Sequence, residues 1–269
     1  MKRASELWTS VLDLLFPPRC QVCGALAAPP LCSRCREAIE LLRPPWCRCC
    51  GLPLDPLARG GPLCRECRAR PRRPFVAVRS AGVFGGTLRT AIHRFKYEGR
   101  RSLSQPLGEL MVEFVEGQPE VQAVLAPSEL DFVVPVPLHA HRYRQRGFNQ
   151  SELLAEVVGA HWGLPVLRKA LVRVRPTLPQ VQLSGQERRR NVRRAFASAP
   201  GLPLEGATVL LVDDLYTTGA TIWECAQVLQ REQRARVKVL TLARACPLDL
   251  PESFRREPDH ATVEKKAGP

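Results

Sequence analysis

Eight cysteines in four Cys-x-x-Cys pairs constrain this chain more than any other feature. The pairs are Cys20/Cys23, Cys32/Cys35, Cys47/Cys50 and Cys64/Cys67, with Cys49 as a spare thiol in the same stretch. Two thiolates three residues apart on a tight turn reach one tetrahedral Zn²⁺, and a second pair completes the site. Four pairs suffice for two structural zinc sites. Sequential pairing is simpler than a cross-brace, and the spacing alone leaves both open. Gly24 and Gly51 follow the second cysteine in "CQVCG" and "CRCCG", where a knuckle needs positive φ or close backbone approach. Disulfides, redox pairs and an iron–sulfur cluster are the alternatives, and the lack of a secretory signal weighs against disulfides.

The N-terminus combines basic residues with an apolar run, but Glu6 and Asp13 interrupt it and Leu7, Val11, Leu14 and Leu15 share one helical face. A short amphipathic helix is expected there rather than a signal peptide. No stretch approaches the ~20 apolar residues needed to span a bilayer, so a cytoplasmic protein without a membrane span is expected. With 269 residues, 45% of them hydrophobic, the chain buries one ordinary core plus something smaller.

The formal net charge is +14. Two four-thiolate zinc sites, each netting −2, lower the folded value to about +10. The basicity is concentrated. Residues 168–194 carry nine Lys/Arg against Glu187 alone, a segment suited to a pyrophosphate, to a DNA backbone, or merely to solvent.

Composition divides the chain. Residues 1–74 hold the helix and the cysteine module, and "RARPRRPF" (68–75) is a connector. Beyond it, Leu88, Ile92 and Phe95 mark one helix and Leu103, Leu107, Leu110, Met111 and Phe114 another. A strand is expected at 131–137, a helix at 149–161 with Asn149 as its cap, then strand 208–213, helix 218–230 and strand 236–243. Strands alternating with helices predict an α/β domain over 75–246, a parallel sheet flanked by helices. The polar, proline-rich tail 247–269 reads as disordered, and Cys225 and Cys246 as ordinary buried thiols.

"VLLVDDLYTTGAT", Val209 to Thr221, sets two acids at the end of an apolar strand and a hydroxyl-rich turn before a helix. Ligands of parallel sheets bind beyond the strands' carboxyl ends, and a helix N-terminus receives phosphate. Two carboxylates beside a phosphate would repel it, so they face another part of the ligand. A sugar phosphate satisfies both, its phosphate on the turn and its vicinal hydroxyls on the acids.

This stretch resembles the 5-phosphoribosyl-1-pyrophosphate signature of type I phosphoribosyltransferases. Together with the cysteine module, "HRFKYEGR", "VVPVPLHAHRYRQRGFNQ" and "QLSGQERRRNVRRAF", the chain resembles the ComF family of competence-associated proteins. The resemblance implies a type I phosphoribosyltransferase-like sheet after a double zinc ribbon. It implies that Asp213 and Asp214 hold the ribose hydroxyls, that Thr217, Thr218, Gly219, Ala220 and Thr221 bind the 5-phosphate, and that Leu138 and His139 contact pyrophosphate. Mg²⁺ would bridge ligand oxygens. Arg142, Arg144, Arg146, Arg173 and Arg175 are candidates for charge neutralisation.

Two function classes follow. One is a phosphoribosyl transfer enzyme of unidentified acceptor; the other is a module that binds single-stranded DNA or other competence proteins and keeps the sugar-phosphate site as a sensor or relic. Trp8 and Trp46 are the tryptophans near the ribbons in sequence, too few for base stacking to dominate affinity. His93, His139 and His141 read equally as surface residues. Val76–Gly99 is the expected base-selecting hood, and Tyr216 either points outward or covers the ribose.

Overall fold

The computed structural model describes residues 17–55, 61–175 and 192–246. The expected N-terminal helix, the middle of the basic segment and the tail lie outside the described residues. Two short helices, α1 (Ser33–Glu37) and α2 (Arg65–Ala69), start directly after Cys32 and Cys64 and bury Cys35 and Cys67. There follow β1 (Val78–Val83), α3 (Gly86–Tyr97), α4 (Ser104–Glu116), α5 (Pro119–Leu125), β2 (Phe132–Pro135), α6 (Ala140–Arg146) and α7 (Gln150–Trp162). Then come β3 (Leu171–Arg173), β4 (Phe196–Ser198), β5 (Thr208–Tyr216), α8 (Ala220–Gln233) and β6 (Arg236–Arg244).

Four strands form a parallel sheet in the order β1-β6-β5-β2, and β3 pairs antiparallel with β4. A parallel sheet needs cover on both faces. Here α3, α4 and α7 pack over Leu210, Val212, Leu240 and Leu242. On the opposite face α8 and the β3–β4 pair pack over Val209, Leu211, Val237 and Val239.

Several expectations shift. Helix α7 starts one residue late because Asn149 is its cap, its side-chain oxygen accepting from the Ser151 N–H at 3.2 Å. Strand β5 does not stop at Asp213: Leu215 and Tyr216 go on pairing with Ala243 and Arg244 of β6, so both acids lie inside the strand. Residues 76–99 are not a hood above the sheet. Val78 pairs with Val239 and Ala81 is fully buried, so the small and β-branched run becomes the sheet's edge strand, with α3 following.

Residue 74 marks a change in composition but no break in packing. Leu31, Ile39, Leu42 and Trp46 share a core with α4, and the Trp46 ring meets Phe114 at 6.3 Å. The backbone joins too: Leu42 N–H donates to the Ala81 carbonyl and Val83 N–H to the Glu40 carbonyl, both at 2.9 Å. On the second ribbon Val78 N–H donates to the Cys49 carbonyl at 2.8 Å. A Cβ at Gly51, where φ is +71, would stand 2.7 Å from the Val78 carbonyl oxygen. That glycine supplies both the positive φ and the close approach its motif foretold.

Candidate active site and metal centres

Strands β2 and β5 are neighbours, yet the chain leaves β2 for α7 on one face and leaves β5 for α8 on the other. Such a divergence opens a crevice at the strands' carboxyl ends. Asp213 and Asp214 follow Val212, the last β5 residue that pairs with β2, and are 9% and 7% exposed. The Ser151 hydroxyl donates to Asp213 Oδ1 at 2.8 Å, and the Asp214 N–H donates to the same oxygen at 2.9 Å. Lys96 Nζ meets Asp214 Oδ1 at 2.7 Å. Burial, then the Asp214 carboxylate, pushes the Asp213 pKa up to about 7 against the pull of Lys96 and Ser151.

Neither Lys96 nor Ser151 emerged from the sequence as a site residue. Lys96 sits four residues after Ile92 on α3, beside the apolar stripe that turns the helix inward. That position inside "HRFKYEGR" was the available signal. Ser151 carries no such mark, being one of several polar residues in a helix entry.

The turn from Tyr216 to Ala220 leads from β5 into α8. Gly219 caps the helix with φ +73, and a Cβ there would lie 2.1 Å from the Tyr216 hydroxyl. Tyr216 therefore packs inward beneath the turn, 6% exposed, with the Arg244 guanidinium 4.4 Å from its ring centroid. Thr217, Thr218 and Gly219 precede the first helical residues Ala220 and Thr221, so backbone N–H groups of the first turn face outward.

Leu138 and His139 lie in the loop after β2. His139 caps α6, its Nδ1 accepting from the His141 N–H at 3.2 Å. Arg173 of β3 has its pKa lowered to about 10, by burial and then by Arg142, and it lies within electrostatic reach of Asp213. Arg173 thus lies near Asp213, and His139 and Arg142 lie near Arg173. Arg146 stacks over Tyr97 at 4.7 Å and donates to Gln150 Oε1 at 3.0 Å. Arg144 is exposed, and Arg175 turns to the Arg193 carbonyl at 2.9 Å.

The cysteines form two groups, Cys20, Cys23, Cys32 and Cys35, and Cys47, Cys50, Cys64 and Cys67, with ligand atoms in each within 4.8 Å of one another. Sequential pairing is the arrangement adopted. Four sulfurs at about 2.3 Å from one zinc lie roughly 3.8 Å apart. Cys23 Sγ to Cys32 Sγ is 3.7 Å and Cys50 Sγ to Cys64 Sγ is 3.8 Å. Donor set and spacing fit structural zinc at both groups. Elemental analysis of protein purified without added metal should return about two zinc ions per chain; a value near zero would overturn this assignment.

The fold is an α/β parallel sheet covered by helices and joined to two four-cysteine groups of the zinc-ribbon kind. The family model "Double zinc ribbon domain" matches residues 11–70. The DNA utilization protein YhgH of Salmonella typhimurium is 34% identical over 86% of this chain and 99% of its own length. Competence protein F of Haemophilus influenzae is 32% identical over 57% of this chain and 66% of its own, and competence protein ComFC of Bacillus subtilis is 27% identical over 80% and 84%. The chain belongs to the ComF family. Among solved structures, adenine phosphoribosyltransferase from Thermoanaerobacter pseudethanolicus is a distant likeness, 14% identical over 53% of this chain and 80% of its own, with a TM-score of 0.30.

Proposed function

We propose that the protein binds 5-phosphoribosyl-1-pyrophosphate, or a related sugar phosphate, where β5 passes into α8, and that it acts in the cytoplasm on incoming DNA during natural competence. The observation that carries the ligand is the buried pair Asp213 and Asp214 directly before a helix N-terminus. Two carboxylates kept out of water are costly without partners. Beside the donors they already have in Ser151, the Asp214 N–H and Lys96, a ribose diol adds its hydroxyls while its 5-phosphate rests on the turn. Leu138, His139, Arg142 and Arg146 are the residues for the pyrophosphate.

Lys96 fixes the direction of Asp214, and Ser151 fixes that of Asp213. Arg142 and Arg173 are disposed to meet negative charge that develops on a departing pyrophosphate, the usual electrostatic contribution to such a step. The hard oxygens of the two aspartates fit Mg²⁺, which takes oxygen donors and completes its shell with water and substrate. When bound it would neutralise pyrophosphate charge.

The competence role rests on the relatives' names. A second reading, a single-stranded DNA module in which the sugar-phosphate site is a sensor or relic, draws support from α6 and its neighbours. Tyr97 and Tyr143 are 59% and 47% exposed beside Arg144 and Arg146, offering ring faces and phosphate contacts together.

Isothermal titration of zinc-loaded protein with 5-phosphoribosyl-1-pyrophosphate and Mg²⁺ tests the first reading, and absence of heat sinks it. The pH dependence has a defined sign. Asp213 holds its proton up to about 7 in the native state, against 3.8 ordinarily. Between those values the native state binds more protons than the unfolded chain, so stability from this group is greatest at low pH and falls as pH rises through about 7. Asp213→Asn should therefore raise the melting temperature more at pH 8 than at pH 5. Donor binding should strengthen over the same interval, because the ionised carboxylate is the better acceptor. A flat profile in both measurements would contradict the shift.

A further inference from the structure

The fold brings an aromatic residue to the ribbons that the sequence order kept far away. Trp223, on the first turn of α8, faces the second ribbon across a cleft of about 550 Å³. That volume lies within the ~300–1,000 Å³ of small-molecule sites. Cys50, Leu52, Cys64 and Arg70 help to form the ribbon wall, and Tyr216, Thr218 and Trp223 the opposite one. Asp213 and Asp214 do not line it.

Three features fix what fits. The first is an anion site at one end, where the turn and α8 begin. The first bond running back from α8 is from the Trp223 N–H to the Gly219 carbonyl at 2.8 Å, and the hydroxyl of Thr218 is buried in the cleft wall with no partner among the described residues. The second is a positioned ring. Trp223 stands edge-on to Phe75 at 6.1 Å, and the Arg73 guanidinium lies 5.8 Å from the indole centroid. The third is the charge balance. Arg70, Arg73, Arg193 and Arg244 line the cleft with Glu66 and Glu224. Arg244 is committed to the Cys50 carbonyl at 2.6 Å and Glu224 to the Arg194 N–H at 2.9 Å. Four arginines against two glutamates leave +2, and the zinc-loaded Cys47 group beside them nets −2, so the cleft is near neutral and its preference for a phosphate comes from the turn.

We propose that the cleft between the second ribbon and the start of α8 is a ligand site for a nucleoside 5′-phosphate. The phosphate lies on the turn and the base against Trp223 and Arg73, so the ribbon, and not residues 76–99, walls the base. This rests on the reading of the turn as a phosphate site and adds the class of molecule that extends from it. Free nucleotide and the phosphorylated end of a strand share this chemistry.

Isothermal titration of the zinc-loaded full chain with AMP tests it, with ribose 5-phosphate as the baseless reference and 5-phosphoribosyl-1-pyrophosphate with Mg²⁺ as the control for the donor site. AMP should bind about tenfold tighter than ribose 5-phosphate, as stacking on one aromatic implies. Trp223→Ala and Arg70→Glu should each remove most of that advantage while changing ribose 5-phosphate binding less. Arg70 is exposed, so Arg70→Glu keeps the fold even if Trp223→Ala loosens it. AMP with no advantage, or an advantage that survives both substitutions, overturns the cleft site while the donor reading stands. An AMP advantage that both substitutions remove, in protein that ignores 5-phosphoribosyl-1-pyrophosphate, upholds the cleft and ends the donor reading. A 5′-phosphorylated dinucleotide that displaces AMP more tightly than AMP itself assigns the site to strand ends; weaker displacement assigns it to free nucleotide.

Discussion

Asp213→Asn combined with Asp214→Asn abolishes binding of 5-phosphoribosyl-1-pyrophosphate, measured by isothermal titration in Mg²⁺, and leaves the fold and the zinc content intact. Hydrogen bonds to a charged acceptor contribute about 1.5–3 kcal/mol each. Losing both carboxylates as acceptors for the diol corresponds to at least about a hundredfold in affinity, before any contribution from Mg²⁺. The amides conserve volume, so the packing beneath Ser151 and Cys225 survives. They also relieve the crowding of two buried acids that raises the Asp213 pKa. Lys96 loses its partner at 2.7 Å, and its long side chain has the reach to turn toward solvent. Affinity for single-stranded DNA should change little and should fall steeply with salt, as phosphate-dominated binding does. Equal loss of both affinities would mean that DNA and sugar phosphate share one site.

Deleting residues 1–74 gives a chain without a cooperative thermal transition or near-UV circular dichroism. The sequence treats this stretch as a module beyond a proline-rich connector, whereas the packing makes it a brace. The deletion removes Leu31, Ile39, Leu42 and Trp46 from the core they share with α4. Each such burial is worth about 1.5–3 kcal/mol, and whole domains are stable by only about 5–15 kcal/mol. It also strips the backbone partners from β1 at Val78, Ala81 and Val83 and leaves the buried Arg79 without the Arg48 carbonyl it donates to at 3.1 Å. A soluble, cooperatively melting fragment 75–246 would show that the ribbons are dispensable to the fold.

Legibility in the sequence followed the range of the interactions. The zinc ligands and the β5–turn–α8 stretch are local patterns, set by spacings of a few residues, and they stood out at once. Alternation of strands and helices gave the parallel sheet. What the sequence withheld was contact across the chain. Lys96 and Asp214 are brought together by the packing of α3 against the sheet, and Ser151 meets Asp213 only once α7 has docked. Two acids in sequence look like the end of a strand, while ladder pairing with β6 carries β5 past them to Tyr216. Trp223 was counted far from the ribbons for the same reason.

The two cysteine groups differ in their access to water. All four sulfur-bearing residues of the Cys47 group are buried, whereas in the Cys20 group Cys23 is exposed and Cys32 half-buried. A chelator must reach a metal before it can strip it, so depletion should run in two kinetic phases, the outer ion departing early and the inner one persisting. Arg244 joins the inner cluster to Tyr216 under the turn that enters α8, so moderate zinc scarcity would leave the turn's support intact until the second departure.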